Sequence, residues 1–139
     1  MKTQTPVHAI DPADFNVLAG CFGSIAVEMS DIMLRSAYSS IVREAKDCST
    51  CLMDADGRTV AQAAGIPIHM NSLSAAVPYF RELYDFSETR PDEMYITNNP
   101  YQNGQHLNDI IILMPVFAGD DLVAFTGSIC HHLEVGGAV

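Results

Sequence analysis

The stretch that decides the fold is DIIILMPVFAGDDLVAFTGSICHH, residues 109–132. Apolar and β-branched residues fill both halves, and the segment Ala118–Asp121 between them contains the glycine and aspartates typical of turns. We therefore predict a β-hairpin with strands over 109–117 and 121–131. In an antiparallel hairpin the end of the second strand lies beside the start of the first.

A polar loop ending in NGQHLND, residues 103–109, precedes this hairpin. The loop offers the His106 imidazole and the Asp109 carboxylate, and the hairpin brings His131 beside them. Imidazole and carboxylate together suit zinc, manganese or iron(II) better than calcium. His132 follows His131 directly, and neighbouring strand residues point to opposite faces, so at most one of them readily serves the same ion. The alternatives are a loop histidine bonded to a carboxylate and a solvated strand end, but the convergence favours a metal site.

Two further residues are weaker candidates. Asp47 lies just before a predicted strand, where an exposed carboxylate is the simpler interpretation from the residues alone. His69, in GIPIHMNS at 65–72, either lines a pocket or is hydrogen-bonded within a loop.

The rest of the chain predicts two helices, a second hairpin and a short strand. The predicted elements are a long helix over 11–40, a hairpin over 48–64, a shorter helix over 73–86 and a strand over 94–97. Asp11 and Pro12 supply an N-cap and a first helical residue, and Ser72 or Ser74 is the expected cap of the shorter helix. The segment 65–72 is then a loop. The predicted fold class is α+β, with the two hairpins in a mixed or antiparallel sheet and the whole an incomplete part of a larger fold.

Composition excludes several classes of protein. The 139 residues are 48% hydrophobic and carry a net charge of -10, which disfavours nucleic acid and anionic membrane as partners. No apolar run approaches the ~20 residues of a spanning helix, and the first residues lack the core of a signal peptide. We expect a cytoplasmic protein.

The cysteines and glycines carry little functional signal. Four cysteines are too few for a disulfide scaffold, and the CSTC motif at 48–51 places its cysteines on opposite faces of a strand. We expect buried thiols there. No phosphate-binding loop and no GxSxG nucleophile motif is present.

Three stretches resemble the hydantoinase B/oxoprolinase family. They are EMSDIMLRSAYSSIVREAKDCSTCLMDADGRTVAQAAGIPIHMNSL at 28–73, NNPYQNGQHLNDIIILMPVF at 98–117 and HHLEVGG at 131–137. The resemblance covers the chain from about residue 11 onward. Family members are several times longer, so we expect residues 1–139 to be the N-terminal part of a hydantoinase B-type domain, or a truncated copy of one.

The resemblance implies a metal-bearing subunit that works with an ATP-binding partner of the hydantoinase A type in a hetero-oligomer. The implied metal ligands are Asp47, His106, Asp109 and His131, and the implied catalytic or second-layer pocket residues are His69 and His132. The implied activity is ATP-dependent hydrolysis of a cyclic amide with a divalent ion, and the ATP is bound by the partner. The alternatives are ketone carboxylation of the acetone or acetophenone carboxylase type and a non-catalytic module that only binds partner subunits.

Overall fold

The computed structural model describes residues 10–102 and 104–137. The helices are α1 (Pro12–Ser36), α2 (Ser40–Arg43) and α3 (Pro67–Leu83), with a 3₁₀ turn at Phe86–Glu88. The strands are β1 (Cys48–Asp54), β2 (Thr59–Gln62), β3 (Tyr95–Thr97), β4 (Asp109–Ala118) and β5 (Asp121–His131). They form one sheet in the order β2-β1-β5-β4-β3, and every neighbouring pair is antiparallel. The predicted α+β class with two hairpins is confirmed.

The hairpin of β4 and β5 has the predicted register. Asp109 is paired with His131 at its open end, and Ala118 with Asp121 at the turn. Along β4 the residues alternate between buried and less buried, as expected for a strand with one face on the core. Asp109, the first residue of β4, and His131, the last residue of β5, therefore meet at the same end of the sheet.

Helix α1 begins as predicted and ends earlier. The Asp11 carboxylate accepts a hydrogen bond of 2.8 Å from the Ala13 N–H, and Pro12 occupies the first helical position. The chain is already extended at Ala37, so the predicted single helix over 11–40 is in fact α1 followed by the single turn of α2.

Helix α3 begins six residues before the predicted start. Ile66 is its N-cap and Pro67 its first residue, so the predicted caps Ser72 and Ser74 lie inside the helix and most of the predicted loop 65–72 is helical. Proline favours the first helical position because its φ angle suits a helix and its missing N–H would be unpaired there anyway. Pro67 therefore marks the start of α3, and Ser72 and Ser74 do not.

The core lies between α3 and one face of the sheet. Its fully buried members come from both layers and are Cys51, Met53, Leu73, Ala76, Val77, Phe80, Ile111, Leu113, Phe125 and Ile129. Helix α1 packs against β1 and β2 on the other face, where the Thr50 hydroxyl donates to the Ala26 carbonyl oxygen at 2.8 Å. The sheet thus separates two differently packed layers.

Helix α1 exposes many large apolar side chains. Ala26 is its one buried residue, while Phe15 and Ile32 are more than half exposed. The helix has 25 residues and reaches a mean hydropathy of 1.6, so length and composition alone would let it cross a membrane. The expectation that no segment approaches this size was wrong. Core helices of soluble proteins have the same properties, and the cytoplasmic location stays a prediction.

Two glycines in turns offer a matched test of this packing. Gly57 and Gly119 both adopt positive φ angles, of 87° and 63°. A Cβ at Gly57 would lie 2.7 Å from the Val77 Cβ on α3, whereas a Cβ at Gly119 would meet nothing within 4 Å. Alanine costs about 1–2 kcal/mol at either position through its left-handed backbone. Gly57→Ala should cost about 1–3 kcal/mol more through overpacking.

Urea denaturation of the two variants measures this difference in the free energy of unfolding. Equal losses for Gly57→Ala and Gly119→Ala would show that the β1–β2 turn does not press against α3.

Candidate metal centre

Three side chains converge at the open end of the β4–β5 hairpin. Asp109 is completely buried, and its Oδ1 lies 3.1 Å from the His131 Nδ1. Its Oδ2 lies 2.9 Å from the Nδ1 of His106, which comes from the loop before β4. One ligand atom from each residue lies within 4.8 Å of the other two, and the two imidazole rings are 4.5 Å apart between centroids. This is the convergence that the hairpin argument predicted.

The Oδ2 atom of Asp109 bears on whether a cation binds here. Within the described residues Oδ2 is buried and has no hydrogen-bond partner, although His106 Nδ1 is only 2.9 Å away. The two atoms are close without the angles of a hydrogen bond. A buried carboxylate oxygen without a partner is costly, and a cation between these atoms would remove that cost. The donor set of two imidazoles and one carboxylate therefore fits a divalent transition-metal ion.

His69 reaches the same place from α3. Its ring is buried, and its Nε2 lies 3.5 Å from Asp47 Oδ1 and 4.0 Å from Asp109 Oδ1. Burial lowers the pKa of His69, against the opposing effect of the Asp109 and Asp47 carboxylates. The ring is then neutral at pH 7, and it can present one hydrogen and one lone pair.

Ser49 determines how that ring is oriented. Its Oγ accepts the Ile66 N–H at 3.0 Å and lies 3.3 Å from the His69 Nδ1. Because the Nε2 of His69 faces two carboxylate oxygens, the neutral ring carries its hydrogen there, and Nδ1 accepts from the Ser49 hydroxyl. The sequence analysis missed Ser49. Ser49 is two residues from Asp47, and residues two apart lie on one face of a strand, so strand alternation could have predicted its position.

Asp47 lies at the rim of the cluster. Its carbonyl oxygen accepts the His131 N–H at 3.1 Å, which fixes it at the same end of the sheet. Its carboxylate faces His69, and its side chain is 29% exposed. The structure thus brings Asp47 to the cluster, outside the set of three converging ligand atoms.

His132 is connected to the site through its backbone. Its N–H donates to the Asn108 carbonyl oxygen at 2.8 Å, and the Asn108 side-chain amide donates back to the His132 carbonyl oxygen at 2.7 Å. We find no hydrogen bond or ion pair of its imidazole with the described residues. This pairing holds the end of β5 beside the His106 loop.

A second contact ties the same loop to α3. The Gln105 side-chain amide donates to the Ser72 hydroxyl at 3.0 Å. Ser72, predicted as a helix cap, is instead a buried residue that positions the loop next to His106.

The CSTC motif does not contribute to this cluster. Cys51 lies in the core beneath α3, and Cys48 is the strand partner of Cys130 on β5. Both members of the motif are buried, as predicted. Burial raises the pKa of Cys51 to about 12, and that of Cys130 to about 12. Thiols in this state are poor ligands for a borderline metal.

Fold and site together define an α+β module with a carboxylate–imidazole cluster where strands β4 and β5 begin and end. Residues 11–139 match the Hydantoinase B/oxoprolinase family. The chain belongs to this family.

Relatives and solved structures agree with the family. The chain is 35% identical over 136 residues to a 5-oxoprolinase of Dictyostelium discoideum, covering 98% of this chain and 11% of the relative. It is 32% identical over 142 residues to a putative B-type subunit of a D-/L-hydantoinase from a Pseudomonas species, covering 97% of this chain and 23% of the relative.

Two solved structures share the fold. The ATP-dependent caprolactamase of Pseudomonas jessenii superposes with a TM-score of 0.83 at 28% identity, over 95% of this chain and 23% of that one. An acetone carboxylase superposes with a TM-score of 0.79 at 23% identity, over 87% of this chain and 16% of that one. The chain therefore spans between about a tenth and a quarter of the length of these proteins.

Proposed function

We propose that this chain binds a divalent metal ion through His106, Asp109 and His131, and that it is the metal-bearing part of an ATP-dependent cyclic-amide hydrolase. The observation that carries the proposal is the buried Asp109 carboxylate, with an imidazole nitrogen near each oxygen and one oxygen without a hydrogen-bond partner among the described residues. The proposed substrate class, a cyclic amide, is taken from the names of two similar proteins, 5-oxoprolinase and caprolactamase.

The residues of the site have distinct roles in this proposal. A bound zinc, manganese or iron ion would supply Lewis-acid activation of the amide carbonyl and a water of lowered pKa. Asp109 offers one carboxylate oxygen toward each imidazole and is shielded from water by the core. His69 keeps its hydrogen on Nε2, toward Asp47, and so would hold that carboxylate at the rim of the site.

The family supports the proposed partner and substrate. One relative is a putative B-type subunit of a hydantoinase, and the caprolactamase is described as ATP-dependent. This chain has no phosphate-binding loop in its sequence, so we propose that a hydantoinase A-type partner binds the ATP in a hetero-oligomer. Hydrolysis is favoured over ketone carboxylation because the likeness to acetone carboxylase, at 23% identity, concerns the fold.

Metal analysis of two histidine variants tests the site. We expect the purified chain to retain zinc or manganese in stoichiometric amounts after dialysis, and His106→Ala to lose most of it, because a ligand atom is removed. His132→Ala is the matched control, since its imidazole has no hydrogen bond or ion pair with the described residues of the cluster, and it should keep the metal. Elemental analysis by mass spectrometry gives the content. Equal metal in the chain and in His106→Ala would refute the site.

An activity test distinguishes the proposed function from its alternatives. The chain, assembled with its A-type partner, should hydrolyse ATP when a hydantoin or lactam is present. ATP hydrolysis with ketone and bicarbonate only would establish the carboxylase alternative. Partner binding without turnover of any of these substrates would establish a non-catalytic binding module.

A further inference from the structure

Two cysteines are directly opposite each other on the central strands. Cys48 and Cys130 are Cα partners in the β1–β5 ladder. The adjacent pair is of the hydrogen-bonded type, because the His131 N–H donates to the Asp47 carbonyl oxygen at 3.1 Å. Pair types alternate along an antiparallel ladder, so the cysteines occupy a non-hydrogen-bonded pair. The Cys48 N–H accordingly donates elsewhere, to the Lys46 carbonyl oxygen at 2.8 Å.

This position suits a disulfide. Cα atoms of non-hydrogen-bonded pairs lie about 4.5 Å apart with both side chains on one face, and disulfides span Cα separations of about 4.4–6.8 Å. Cys48 and Cys130 face each other across the two strands. Both are free in the structure. The strand separation at this pair is thus within the range that a disulfide spans.

The surroundings favour a reaction with a small molecule. The Cys130 Sγ lies 2.7 Å from the Met33 Sδ of α1, so a third sulfur contacts this thiol. Cys48 is buried and Cys130 is half-buried. Cys130 keeps partial exposure to solvent, and this is the thiol that we expect hydrogen peroxide to reach first. The burial also makes the thiolate scarce, so the reaction should be slow.

We propose that Cys48 and Cys130 form an oxidation site at which hydrogen peroxide joins the two strands by a reversible disulfide. In the first step the Cys130 sulfur attacks the peroxide, its S–H bond and the O–O bond break, and a sulfenic acid and one water form. In the second step the Cys48 sulfur attacks the sulfenic sulfur, its S–H bond breaks, and a second water leaves as the S–S bond forms. Two thiols lose two electrons and two protons, and one peroxide becomes two waters.

The disulfide would act on the candidate metal centre through the backbone. Each cysteine is the sequence neighbour of a residue of that centre, Cys48 of Asp47 and Cys130 of His131. Strand alternation places the cysteines and the centre on opposite faces of the sheet. An S–S bond draws the sulfur atoms to about 2.05 Å and twists the pair, which displaces Asp47 relative to His131. We expect weaker metal binding in the oxidised chain, and this consequence alone rests on the proposed function.

The experiment uses the full chain in a Cys21→Ser background, which removes the exposed thiol that would otherwise link two chains. After treatment with hydrogen peroxide, non-reducing peptide mapping should recover a Cys48–Cys130 link, in which the joined peptides are lighter by two hydrogen atoms, and dithiothreitol should reverse it. Adding Cys48→Ser should leave Cys130 as a sulfenic or sulfinic acid without a link. Circular dichroism verifies that each variant is folded.

The following outcomes decide the proposal. A folded chain that gains oxygen at Cys130 without the link, or that forms a link through Cys51, overturns it. Metal content that is equal in reduced and oxidised chains overturns the effect on the metal centre and leaves the disulfide standing. A chain that forms the link and never binds metal refutes the proposed function and supports the oxidation site.

Discussion

Asp109→Asn is expected to lower the affinity of the chain for zinc or manganese by more than about 100-fold, because residues behind a metal ligand already change affinity by 10–100-fold. Among the described residues the Asp109 carboxylate lies close to both His106 and His131, at 2.9 Å and 3.1 Å. Asparagine keeps the size of the side chain and removes the negative charge and one acceptor. The two imidazoles alone would then bind the cation weakly.

Isothermal titration with each metal gives the two dissociation constants. Asp120→Asn is the matched control, because Asp120 is an exposed carboxylate in the turn of the same hairpin, and it should bind metal as the parent chain does. Circular dichroism shows whether the Asp109 variant is folded. Dissociation constants within a few-fold of each other for both variants would mean that the buried carboxylate has a purely structural role.

Phe125→Ala is expected to reduce the free energy of unfolding by about 3–5 kcal/mol, the usual cost of removing a fully buried phenyl ring. Phe125 is completely buried in the centre of β5, and its ring centroid lies 5.1 Å from that of Phe86. The ring fills the space between the sheet and the segment after α3, so the remaining cavity cannot easily collapse. The loss is a large fraction of the roughly 5–15 kcal/mol that stabilises a domain.

Val123→Ala provides the comparison on the same strand. Val123 is 45% exposed and should change the free energy of unfolding by less than about 1 kcal/mol. Urea denaturation monitored by circular dichroism measures both variants. Losses of similar size would show that the core is not centred on the α3 face of the sheet.

The parts of the fold that follow from local sequence were predicted well. The β4–β5 hairpin depends on strand alternation and on a turn at Gly119, both readable from neighbouring residues. Its register alone determines that His131 returns to Asp109, so the centre of the candidate site was predictable before the remaining layers were known.

The parts that depend on contacts between distant segments were predicted less well. His69 approaches Asp47 and Asp109 only because α3 starts at Pro67 and packs across the sheet. Strand periodicity says nothing about that distance. The length of the apolar segment in α1 was also misjudged, because small and polar residues such as Gly23 interrupt the run in sequence without making the helix polar on average.

The packing of α1 has a consequence for handling the protein. At 1.5 Å per residue the helix is about 37 Å long, and one of its 25 residues is buried. A long helix with exposed apolar side chains and few buried residues favours association between molecules at high concentration. We therefore expect the exposed apolar side chains of this first helix to lower the solubility of the isolated chain.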